Sequence, residues 1–181
     1  NINYENAFWD GSQLVYGDGY GFPLADDVVA HELTHGVTDY SSNLFYYYQS
    51  GAINESFSDL WGEFVDLTNG AGDDSSAVRW LIGEDVSGLG AIRDMQNPPA
   101  FEHPDKMTST FYYTGSAGPF YGDSGGVHTN SGIGNHAGFL VAADGTNTHA
   151  DTGVAVTGIG RAKAVALWYQ TLLTLPRRAT Y

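Results

Sequence analysis

The chain has 181 residues, enough for one self-supporting core, and carries 21 Asp and Glu against 7 Lys and Arg for a formal charge of -14. That balance disfavours nucleic acid and anionic membranes as partners, and no run approaches the ~18 to 20 apolar residues of a membrane span. There is no cysteine, so thiolate ligands and thiol nucleophiles are excluded and any metal must be held by His, Asp or Glu.

The segment Ala7 to Tyr16 sets Asp10-Gly11 between aromatic and β-branched residues, which predicts a hairpin with a tight turn. A helix is expected from Ala25 to about Tyr40, with Asp26 or Asp27 as its cap and Val28, Val29, Leu33 and Val37 at helical spacing. A second helix from near Ser50 gathers Ile53, Phe57, Leu60, Trp61, Phe64 and Val65 on one stripe. It leaves Glu55, Asp59, Glu63 and Asp66 on another, so one face reads as core and the other as acidic. Residues 67–127 are rich in Gly, Pro, Ser and Asp and predict irregular structure, of the kind that usually serves a site. Helical spacing returns over Ser131 to Ala143 and over Gly158 to Thr174, where Ile159, Ala162, Ala166, Tyr169 and Leu173 form a stripe that Pro176 ends. There is no internal repeat and no linker.

His31-Glu32-Leu33-Thr34-His35 falls inside the first helix, where residues four apart lie on one face and both imidazoles can reach one ion. Two exposed histidines that bind nothing are the alternative for these five residues alone. On the second helix Glu55 and Asp59 are also four apart. Glu55 can complete the shell of a Zn²⁺ that keeps a position open for water, and Asp59 can accept the far N–H of a ligand histidine and fix its tautomer. Glu32, beside the ion, can then take a proton from that water, which is the chemistry of amide hydrolysis.

At these residues the chain resembles the thermolysin family of zinc metallopeptidases. The resemblance rests on His31-Glu32-Leu33-Thr34-His35-Gly36-Val37-Thr38-Asp39-Tyr40, on Gly51-Ala52-Ile53-Asn54-Glu55-Ser56-Phe57-Ser58-Asp59 and on Asp123-Ser124-Gly125-Gly126-Val127-His128-Thr129-Asn130-Ser131-Gly132-Ile133. It implies an α+β fold, predominantly helical with an N-terminal β-hairpin edge, of the zincin type and truncated at both ends: the chain begins at the edge strand and stops soon after Pro176. Residues 1–181 would form one catalytic-domain fragment. It would comprise an edge hairpin (1–20), two zinc-site helices (25–66), a loop-rich region (67–130) and a helical part (131–181).

The resemblance further implies His31, His35 and Glu55 as zinc ligands, Glu32 as general base, and Tyr46 and His128 as donors to the oxyanion, with Asp123 orienting His128. Extended peptide would lie along Asn6, Ala7 and Trp9. Arg93 would hold the carbonyl after the scissile bond, a surface salt bridge being the alternative that composition leaves open. Val28, Ile82, Val86 and Ile92 would line the pocket for the residue after the cut, with buried core as their alternative. His103, His136 and His149 match nothing in the pattern and read as structural.

Asp27, Glu63, Asp66 and Glu84 fall where calcium ligands occur in one or another branch of the family, and carboxylate clusters suit Ca²⁺. Arg79 and Leu81 stand where a two-ion site needs carboxylates, so one calcium is expected; Asp73 and Asp74 are left out of the ligand set. The activity implied is a secreted, extracellular zinc endopeptidase. It would act as a monomer on peptide or protein substrates and cut before bulky apolar residues. A zinc aminopeptidase is the competing enzyme, although the Gly-Ala-Met-Glu-Asn type of segment that binds a free amine in the best-known such family is missing. An inert fragment that binds zinc and calcium is the non-enzymatic alternative.

Overall fold

The computed structural model describes residues 3–115 and 122–181, so 116–121 of the expected loop-rich region lie outside the described residues. Strands β1 (Ala7–Trp9) and β2 (Leu14–Tyr16) pair antiparallel, with Ala7 opposite Tyr16 and Trp9 opposite Leu14. Gly11 takes the left-handed conformation (φ 96°) at the expected turn, where a Cβ would be strained. Helix α1 spans Asp26–Asp39 and α2 Tyr48–Asn69. The short strands β3 (Leu81–Ile82) and β4 (Arg93–Asp94) pair within otherwise irregular chain, as its composition suggests. Helix α3 (Val127–Ala142), a hairpin of β5 (Thr146–Thr148) and β6 (Ala155–Thr157), and α4 (Arg161–Thr174) complete the fold.

Helix α2 is the axis of the molecule. Its apolar side packs Leu60 and Phe64 against Trp80, Met95 and Phe139, while Ile53 and Phe57 meet Leu44 and Leu172. The stripe that reads as acidic is not solvated: Glu55, Asp59 and Glu63 are fully buried and Asp66 is 2% exposed. Ionised groups are rarely buried without partners, so this inversion marks α2 as the helix that carries the candidate site. Helices α1 and α2 approach so closely that a Cβ on Gly62 would lie 2.7 Å from the carbonyl oxygen of Asp27.

Several sequence expectations are corrected. Ala25, not Asp26 or Asp27, is the N-cap of α1, and the two aspartates sit in its first turn. Leu33 and Val37 face outward while His31, Glu32 and Thr34 are buried, because α1 turns its polar side to α2. On α4 the stripe Ile159, Ala162, Ala166, Tyr169 and Leu173 is exposed, and burial falls on Ala164 and Leu172 instead. Helix α3 begins at Val127, four residues before the expected start, so His128 stands in a helical turn and not in a loop. The β5/β6 hairpin was not expected from the sequence.

Candidate metal centre and active site

In α1 the one-turn spacing of His31 and His35 brings their Nε2 atoms to 3.0 Å, and α2 presents Glu55 with its oxygens 3.5 and 3.3 Å from those two nitrogens. Zn–N and Zn–O bonds near 2.0 to 2.2 Å in a tetrahedral shell set ligand atoms about 3.3 Å apart, so this spacing fits a zinc ion. The far nitrogens are also occupied: His31 Nδ1 lies 2.9 Å from Asp59 Oδ1, and His35 Nδ1 lies 2.9 Å from Asn54 Oδ1, which leaves both Nε2 atoms turned inward. Glu55 Oε2 is buried with no hydrogen-bond partner, as a carboxylate awaiting a cation would be.

Electrostatics agree with that fit. Burial alone would lower the His31 pKa, but Asp59 and Glu55 outweigh it and raise it to about 10. Burial would likewise raise Glu55, yet the neighbouring His128 and His35 hold it well below the usual carboxylate range. The centre therefore concentrates negative charge around two imidazoles, a demand for positive charge that a divalent ion would meet.

Glu32 is 7% exposed on the cleft side, and its Oε2 accepts the Trp9 backbone N–H at 3.1 Å. Across the cleft the Tyr46 hydroxyl donates to Glu55 and lies 3.2 Å from His128 Nε2. Burial and the Glu55 charge push the Tyr46 pKa upward, which keeps its proton in place. His128 is raised mainly by Glu55, with Asp123 Oδ1 2.5 Å from its Nδ1. Asp123 also accepts the backbone N–H groups of His128 (2.9 Å) and Thr129 (3.2 Å), donors that the first turn of α3 cannot satisfy internally. One carboxylate thus caps the helix and aims the imidazole.

A cleft of about 450 Å³ joins these groups to Asn6, Ala7, Trp9, Val28, Ile82, Ile92 and Arg93, as the resemblance implies. Val86 departs from that expectation. It is 2% exposed, packs with Phe22, Ala25 and Val28, and does not line the cleft, because the turn closed by its N–H to Gly83 carbonyl (3.1 Å) carries it into the core. Arg93 is no surface ion pair: it is 7% exposed and binds Asp59 twice, Nε to Oδ2 at 2.7 Å and Nη2 to Oδ1 at 2.6 Å. Asn135 Nδ2 donates to the same Asp59 Oδ2 at 2.7 Å. Nothing in the spacing of α3 distinguished Asn135 from any other helical asparagine.

On the far side of α1 and α2, Asp27, Glu63, Asp66 and Glu84 share a second acidic region. Asp27 accepts the N–H of Gly83, and Glu63 accepts that of Trp80 at 2.6 Å. Yet Glu63 Oε2, Asp66 Oδ1, Glu84 Oε2 and Asp74 Oδ1 are buried without partners. Burial and mutual repulsion raise the pKa of Glu63 to about 9, of Asp66 to about 7 and of Glu84 to about 8. The sequence reading missed Asp26 and Asp85, whose carboxylates come within 4.8 Å of Asp66, and it set aside Asp74. An all-oxygen cluster of this kind fits calcium.

A pH dependence follows for the calcium-free chain. Each raised carboxylate binds its proton more tightly folded than unfolded, so stability is unpenalised below the unfolded value and falls as pH rises toward 7 to 9. Calcium should flatten that slope and add about 2.7 kcal/mol of stability at a hundredfold excess over Kd, which raises the melting temperature. Melting curves at several pH values in chelator with zinc restored, then with calcium, check this. A calcium-independent profile would reduce the cluster to an acidic face.

The matches to known proteins fall on the same elements. A family model described as the thermolysin metallopeptidase α-helical domain matches residues 42–181, and one for the catalytic domain matches residues 1–39. The chain is 47% identical over 181 residues to bacillolysin of Brevibacillus brevis, covering 95% of this chain and 30% of that protein. To a zinc metalloproteinase of Renibacterium salmoninarum it is 45% identical over 179 residues, covering 98% of this chain and 31% of that one. The solved precursor of protealysin, a metalloproteinase from Serratia proteamaculans, superposes with a TM-score of 0.72 at 35% identity over 99% of this chain and 56% of that one. The chain therefore spans about three tenths of the length of the curated relatives it matches. The two family models meet between α1 and α2, where the cleft opens, and on that match the protein belongs to the thermolysin metallopeptidase family.

Proposed function

We propose that the cleft hydrolyses internal peptide bonds, as the zinc centre of an extracellular, monomeric endopeptidase stabilised by calcium. The observation that carries this reading is the convergence of His31, His35 and Glu55 within 3.5 Å, with Glu32 beside them. A zinc ion held by those three residues would supply Lewis acidity, lowering the pKa of a bound water and polarising the scissile carbonyl.

The chain's own residues do the rest. An extended peptide lies along β1, whose Trp9 N–H already points into the site, and pairing to a strand edge gives affinity that tolerates many sequences. Arg93 keeps N–H groups beyond the two that Asp59 takes, and these hold the carbonyl after the scissile bond. Asp59 thus steadies both a metal ligand and the substrate clamp. Val28, Ile82 and Ile92 give the next side chain an apolar seat, which favours bulky apolar residues after the cut. Glu32 takes a proton from the attacking water and passes it to the leaving amine, while His128 and the Tyr46 hydroxyl donate to the developing oxyanion.

Casein digestion with and without 1,10-phenanthroline tests the reading: digestion abolished by the chelator and restored by zinc is expected. An undigested substrate with a folded, zinc-loaded chain would favour the inert fragment, a reading that the three-tenths coverage of its relatives keeps in view. Acetylating the N-terminus of a peptide substrate should leave cleavage unchanged; a loss would favour an aminopeptidase.

A further inference from the structure

His136, about two turns along α3 from His128, meets His149, and the family pattern leaves both without a role. Their rings stand edge to face with centroids 4.9 Å apart, and the residues are 6% and 7% exposed. His136 Nδ1 lies 3.2 Å from the Met95 carbonyl and carries the ring's proton as a donor to it, so Nε2 presents a lone pair, and that buried atom has no partner. Burial also lowers the His136 pKa, which keeps the ring neutral and able to ligate. The side chain opens on a cavity of about 320 Å³ whose wall includes Asp105 and Asn147.

Asp105 is nearly as buried, its side chain 8% exposed, and Lys106 Nζ stands 3.8 Å from Oδ1, beyond hydrogen-bond range. Lys106 is instead bonded to Asp151. His149 sits behind Asp105. Its Nδ1 receives long contacts from the N–H groups of Asp151 (3.3 Å) and Thr152 (3.4 Å), which leaves the ring's proton on Nε2, a buried atom that makes no hydrogen bond and stands 3.4 Å from Asp105 Oδ2. Asn147 turns its Nδ2 toward the Ala143 carbonyl (3.4 Å), so its side-chain oxygen remains available.

We propose that this cavity is a second transition-metal site, in which His136 Nε2, the Asp105 carboxylate and the Asn147 side-chain oxygen bind a divalent ion such as zinc, with His149 orienting Asp105 from behind. A neutral imidazole beside a carboxylate selects zinc over calcium or magnesium, and the unpartnered His149 N–H behind Asp105 is free to close onto its carboxylate when an ion draws it forward. The three ligands come from the segment after β4, from α3 and from β5. An ion here staples the exposed β5/β6 hairpin to the body of the protein.

The test is zinc content per chain after dialysis of the calcium-loaded protein against buffered free zinc. The native chain should hold one equivalent more than His136→Ala or Asp105→Asn, with casein digestion unchanged in both variants because neither residue touches the cleft. Added zinc should raise the melting temperature of the native chain beyond the cleft's saturation and leave the variants unmoved. His149→Phe should weaken the extra equivalent by about 10-fold or more. If His136→Ala does not fold, the near-isosteric Asp105→Asn decides alone. An equal zinc content in native chain and variants overturns the proposal, and failure of the cleft to bind zinc does not affect it.

Discussion

Glu32→Gln is expected to bring peptide hydrolysis to background while the chain keeps its zinc. His31, His35 and Glu55 are untouched by the change, and glutamine still offers an oxygen to the Trp9 N–H that Glu32 accepts at 3.1 Å. What disappears is the base. General acid–base groups typically contribute about 10²- to 10⁴-fold, and a residue that accepts a proton and then delivers it to the leaving amine should sit at the upper end. No neighbour can substitute, since Glu55 faces the two imidazoles and Asp59 is bound to His31, Arg93 and Asn135. Metal analysis beside a casein assay checks both halves, and a variant retaining a tenth of native turnover would sink the mechanism.

Replacing His128 with Ala should lower kcat by about 10²- to 10³-fold, or about 2.7 to 4 kcal/mol, with KM little changed. The imidazole is half-exposed in the free protein, and the substrate charge it would stabilise develops only as the oxyanion forms, so the loss belongs to the transition state. Asp123→Asn should cost less. An amide oxygen can still cap α3 through the His128 N–H, while the carboxylate charge that favours the imidazolium is gone. Steady-state kinetics on one peptide series separates the two variants, and a change confined to KM would make His128 a substrate-binding residue.

The candidate metal centre was legible because metal binding demands particular residue types at helical spacing, and spacing within a helix survives any tertiary arrangement. The four-residue steps from His31 to His35 and from Glu55 to Asp59 are of this kind. Which face of a helix is buried proved far less legible. Leu33 and Val37 on α1, and Tyr169 and Leu173 on α4, look like core by hydropathy and face solvent, whereas the carboxylates of α2 look solvated and are buried. Hydropathy reports what burial costs, and the functional side of this fold accepts that cost where partners offset it. Arg93 is the clearest case: its burial depends on Asp59, 34 residues away, and no local window contains both. The acidic cluster was only partly read for the same reason, since Asp26, Asp74 and Asp85 join it through folding alone.

The near contact of Gly62 with the Asp27 carbonyl acts as a distance gauge for the active site. At Gly62 the two helices leave no room for a Cβ, and the three zinc-ligand candidates are divided between those helices. A single methyl group at position 62, nearly two turns from Glu55 and touching none of the three, would act as a wedge and widen the separation between the histidines and Glu55. Control over the spacing of the candidate ligands thus lies partly at a residue with no functional group, and a survey confined to polar side chains would pass over it.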